Sequence, residues 1–115
     1  MHHPNHSTRE SAISAALEAF DSGRFLADLD RRVSYRTESQ VESRASQLHA
    51  YLRDEIAPTL GRLGFIFRIV ANPAGVDAPI LLAERIEGEG LPTVVTYAHG
   101  DVVRGYDDQW RKGLE

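Results

Sequence analysis

Apolar positions along the chain change their period near residue 64, and that change orders the rest. Ile13, Ala16, Leu17 and Phe20 fall at i, i+3, i+4 and i+7, one stripe of a helix. Ser7-Thr8-Arg9-Glu10 in front of them fits a capping box, and Asp21-Ser22-Gly23 stops the helix. A second, short helix is expected from Arg24 to Arg32, with Phe25, Leu26 and Leu29 turned inward. Val33 to Glu38 is a connector. Ser39-Gln40-Val41-Glu42 repeats the capping box and opens the longest pattern in the chain. Val41, Ala45, Leu48, Leu52, Ile56, Leu60 and Leu63 form its core-facing stripe. Pro58 lacks a donor and crowds the preceding turn, so a kink or restart is expected near Ala57. Gly61 and Gly64 end the helix. His49 and Tyr51 lie off the stripe and are expected at the surface.

Beyond Gly64 the pattern turns to short apolar runs. Phe65 to Val70 reads as a strand, broken by Asn72-Pro73-Ala74-Gly75. Pro79 to Ile86 reads as a second, centred on Ile80-Leu81-Leu82-Ala83. Glu87-Gly88-Glu89-Gly90 is a turn, and the β-branched and aromatic run Thr93 to Ala98 is a third, buried strand. The last two strands would form an antiparallel hairpin. The expected class is α/β, N-terminal helices followed by β-strands. It would form one domain over residues 7–115 after a disordered tail at 1–6. The stretch Arg104 to Glu115 shows no period, and Trp110 within it reads equally as a pocket wall or a packing anchor.

Composition narrows the chemistry. The chain has no cysteine, which removes disulfides and thiolate metal sites and leaves nitrogen and oxygen ligands. A formal charge of −4 argues against a nucleic-acid surface. Arg31, Arg32 and Arg36 alternate with Asp28, Asp30 and Glu38, the mark of an ion-paired solvated face. No apolar run approaches the ~20 residues that span a bilayer. The start, Met1 to His6, lacks the charged and apolar regions of a signal peptide, so the cytoplasm is the expected location. His2, His3 and His6 could chelate a metal together, but read more simply as part of the tail.

The candidate chemistry lies where the third strand should end, at His99 and Asp101. Residues two apart on extended backbone point the same way, so Asp101 can reach the His99 ring. A carboxylate that accepts a proton from one ring nitrogen leaves the other oriented to bind a metal. A bare His-x-Asp pair is a common accident in a chain with five histidines. The strand before this one and Gly100 within it are what give it weight.

With its surroundings, Tyr97-Ala98-His99-Gly100-Asp101-Val102-Val103 followed by Trp110 resembles a known motif. It is similar to the first metal-site motif of the aminoacylase and glutamate carboxypeptidase-type zinc exopeptidases. Those are relatives of acetylornithine deacetylase and succinyl-diaminopimelate desuccinylase. The upstream order matches too, down to Leu63-Gly64-Phe65 at the end of the long helix. The resemblance implies the first part of a zinc-exopeptidase-like catalytic domain with a mixed sheet. It implies that His99 is a zinc ligand and that Asp101 is the catalytic-site carboxylate clamping its ring. Two zinc ions, or cobalt or manganese in their place, would activate water to cleave a dipeptide or N-acyl amino acid.

Ala98 stands where that family often has glycine, and Arg104 where it has proline. The family's bridging aspartate, Glu-Glu pair, further acidic ligand and distal histidine have no counterparts in these residues. Residues 1–115 are therefore expected to be an inactive N-terminal fragment of a metallopeptidase or amidohydrolase. The alternative is a non-catalytic α/β module that associates, with itself or a partner, through an exposed sheet edge.

Overall fold

The computed structural model describes residues 8–113. The proposed histidine tract and the first residue of the Ser7–Glu10 capping box lie outside them. The chain divides into two compact units, Met1–Ser34 and Tyr35–Glu115.

The first unit is a helical pair, α1 (Arg9–Asp21) and α2 (Arg24–Val33). The cap of α1 is Thr8, whose Oγ1 accepts from the Ser11 amide at 3.1 Å. The two helices pack together near their junction, where the Phe20 and Phe25 rings lie 6.3 Å apart. Arg31 and Asp28 form the expected surface ion pair at 2.9 Å. The inward stripes are not realised. Ile13, Leu17, Phe20, Phe25, Leu26 and Leu29 all remain exposed, because two helices alone can hide only a seam of each.

The second unit carries the long helical run. It starts as a 3-10 turn, Glu42–Arg44, and continues as α3 (Ala45–Ala50), a π-helical segment (Tyr51–Ile56) and α4 (Ala57–Arg62). The predicted disturbance around Pro58 is this π segment. The Ala57 amide bonds back to Leu52 O, five residues earlier, and α4 restarts with proline in its first turn. Val41, Ala45, Leu48, Leu52, Ile56 and Leu60 are all half-buried, and Ala57 is the one fully buried apolar residue among those described. The run ends at Gly64, whose φ of 82° is a left-handed turn that a side chain would strain, whereas Gly61, also expected to end it, lies inside α4.

Strands β1 (Ile66–Val70) and β2 (Ile80–Glu84) then pair antiparallel, with Ile69 opposite Leu81. The Asn72 side chain shapes their connection, accepting from the Ala74 amide and donating to Ala78 O. The described residues thus form a small mixed α/β structure with a two-stranded antiparallel sheet.

Three expectations fail here. Residues 93–98 form no strand, and therefore no hairpin with β2; Val94, Val95 and Tyr97 are more than four-fifths exposed. β-Branched and aromatic side chains favour a pleated surface only where a neighbouring ladder and a covered face receive them. Nor is the sheet itself mixed, since its two strands run antiparallel. The sole parallel pairing among the described residues is an isolated bridge between Glu38 and Val102. Finally, Ser39 does not cap the long helix, because Val41 holds that place. No helix among the described residues is long and apolar enough to cross a membrane.

Candidate metal-ligand corner

His99 and Asp101 come together as their spacing predicts. His99 Nδ1 lies 3.1 Å from Asp101 Oδ1 and 3.0 Å from the Asp101 carbonyl oxygen. A carboxylate and a carbonyl offer only acceptors, so Nδ1 carries the proton and donates to them. In the neutral ring Nε2 then holds the lone pair. It faces no hydrogen-bond partner among the described residues, and the side chain is 68% exposed.

What holds this corner is the connector before the long helix together with Ser39 and Gln40. Residues 37–40 run alongside 100–104. The Thr37 hydroxyl donates to Gly100 O at 2.8 Å, and the Val102 amide donates to Thr37 O at 3.0 Å. Ser39 Oγ donates to Asp101 Oδ2 at 2.6 Å, and Arg104 Nη2 donates to Gln40 O at 3.1 Å. Thr37 is 3% exposed, one of the few buried polar residues. Arg44, at the start of the long helix, sets its Nε 3.6 Å from Glu38 Oε2, and both atoms are buried.

Tyr51, expected at the surface, instead lies half-buried under the corner. Its ring packs edge-on against Tyr35 at 5.5 Å, and a Cβ at Gly100 would overlap it. The glycine of the His-x-Asp motif is thus a close-approach residue.

Asp101 is held below the usual carboxylate range. The Ser39 hydroxyl has the largest effect, partial burial works against it, and the His99 hydrogen bond adds to it. The corner therefore presents one imidazole clamped at Nδ1 by an ionised carboxylate and open at Nε2. That donor chemistry suits a single nitrogen ligand to zinc. Among the described residues no group of three or more metal-ligating side chains converges. Asp107 and Asp108 stand in a separate 3-10 turn, Asp107–Gln109, and do not join His99. Trp110 is exposed, its indole N–H donating to Gly105 O, so it is neither a buried anchor nor the wall of a described pocket.

A second histidine–aspartate contact lies elsewhere in this unit. His49 Nε2 is 2.7 Å from Asp77 Oδ1, beside an open groove of about 300 Å³ lined by Ile69, Val70, Asn72, Val76 and Pro79. Both side chains are largely exposed, and the contact pins the β1–β2 connection to the helix. The groove includes neither His99 nor Asp101.

Ser39, Thr37 and Tyr51 are the residues that sequence reasoning missed. The signal was the two-residue step from Thr37 to Ser39, which matches the step from His99 to Asp101 and suits two extended stretches side by side. Comparison with protein families, with curated proteins and with solved structures finds no match.

Proposed function

We propose that residues 1–115 are the N-terminal part of the catalytic domain of a zinc-dependent metallopeptidase or amidohydrolase. Its substrates would be dipeptides or N-acyl amino acids. His99 would be a metal ligand through Nε2, and Asp101 the carboxylate that fixes its ring. The observation that carries this reading is the His99–Asp101 geometry, with Nδ1 tied to two acceptors and Nε2 free. When bound, zinc would supply a lowered water pKa and a positive charge opposite the carbonyl oxygen. The chain's own contribution is orientation, since Asp101 spares the imidazole the cost of finding its pose.

One histidine is short of the three protein ligands that a catalytic zinc usually has. The remaining ligands and the general base are assigned to residues outside 1–115, so this stretch alone is expected to be inactive. The exposure along β1 and β2 supports that assignment, because a two-stranded sheet is marginal until further strands pair with it and helices cover it.

The test is to read the coding frame beyond Glu115 and assay the longer product, if one is encoded, on dipeptides and N-acyl amino acids with zinc. Zinc-dependent hydrolysis that His99→Ala abolishes is expected. Ordinary turnover by residues 1–115 alone, lost in His99→Ala, would refute the assignment of ligands elsewhere.

One observation favours a second reading. Val94-Val95-Thr96-Tyr97 is exposed and unpaired among the described residues, a stretch suited to adding a strand to another sheet. A non-catalytic module would associate through it. Sedimentation showing a concentration-independent monomer would count against this reading.

A further inference from the structure

We propose that Ser39 is a positioning residue, whose hydroxyl occupies Asp101 Oδ2 and so presents Oδ1 to His99 Nδ1. The use of that pose rests on the metal reading above; the geometry does not. A carboxylate has two equivalent oxygens and turns about a broad, two-fold torsion. An exposed aspartate facing only an imidazole would share its time among several poses. The short bond from Ser39 Oγ at 2.6 Å removes that freedom.

Ser39 is itself held on both sides. Thr37 is tied to Gly100 O and the Val102 amide, and Gln40 O to Arg104, so the pairs flanking Ser39 are the pairs flanking Asp101. The serine cannot slide past the carboxylate without breaking this brace. With Oδ1 fixed, the His99 proton stays on Nδ1 and the Nε2 lone pair points outward. Ser39, although it never touches the ring, thus reinforces the tautomer that the Asp101 carbonyl oxygen, 3.0 Å from Nδ1, also favours.

A brace that only held two segments together would leave the tautomer alone, and this separates the two roles. The measurement is long-range ¹H–¹⁵N correlation of His99 in metal-free residues 1–115 at about pH 8, above the imidazole range. The wild type is expected to show Nδ1 protonated and Nε2 bare. Ser39→Ala is expected to lose that uniform state and show mixed tautomers, and Ser39→Thr to restore it. Should Ser39→Ala fail to fold, Ser39→Cys, near-isosteric and a weaker donor, must show the same loss.

Thr37→Val removes the neighbouring brace bond without touching Asp101, and is expected to lower stability while keeping the tautomer. An unchanged tautomer in Ser39→Ala, or an equal change in Thr37→Val, would overturn the proposal. Titration with zinc then follows. Ser39→Ala should need a few-fold more zinc to shift Nε2, less than the tenfold or greater loss expected for Asp101→Ala. If the tautomer responds to Ser39 but zinc shifts no nitrogen in any variant, the positioning role stands and the metal reading falls.

Discussion

Asp101 accepts at both oxygens, one bond from Ser39 and one from His99, and this makes it the residue through which pH acts on the corner. Its carboxyl titrates below the usual range in the folded chain. Such a group stabilises the fold fully above its unfolded value of about 4, and the contribution is lost as pH falls through the lower folded value. In urea unfolding of the metal-free chain, the gap between wild type and Asp101→Asn should therefore be widest near neutrality and close at acid pH. A gap that widened on acidification would contradict the hydrogen-bonded, ionised state. Gly100 sets the other limit. Gly100→Ala places a methyl group into the Tyr51 ring and should cost about 1–3 kcal/mol. Tyr51→Leu in the same chain should recover part of that loss, which denaturation midpoints of the two variants would show.

At the scale of elements, what was legible in the sequence was what the chain decides locally. The stripe from Val41 to Leu63 announced the long helix and its half-buried face, although its last member, Leu63, caps α4 and is exposed. Pro58 announced the restart at Ala57, though not the π form of the segment before it, and Gly64 announced the stop. These depend on period, a missing donor and a left-handed φ, all carried by single positions. The run Thr93 to Ala98 misled because a strand needs a partner, and partners are not written in the run itself. Ser39 misled in a different way. Serine with glutamate three residues on is a cap signature, yet the same hydroxyl found an aspartate 62 residues away. His99 and Asp101 were legible as a pair because two residues apart is a local relation, whereas Thr37, Ser39 and Tyr51 reach the site only through tertiary contacts. In the first unit, Thr8 is the cap that starts α1. Thr8→Ala should lower that unit's stability by about 1 kcal/mol, read as lost helicity on heating.

The molecule as a whole has much apolar surface on view. Phe20, Leu26, Ile66, Ile86, Val95 and Tyr97 are all at least two-thirds exposed, and Ala57 alone is a fully buried apolar residue among those described. Residues 1–115 by themselves should therefore bind a hydrophobic dye strongly and unfold with weak cooperativity. A longer product containing the rest of the proposed domain should bind much less dye per mole. The proposed function rests on one ring nitrogen. The most direct measurement is the His99 Nε2 resonance of residues 1–115 titrated with zinc, with His99→Ala to assign it and His49 as an internal comparison. Selective displacement or broadening at Nε2, with the Nδ1 proton retained, is the expected result. A ring protonated at Nε2 and indifferent to zinc would contradict the assignment of His99 as a metal ligand.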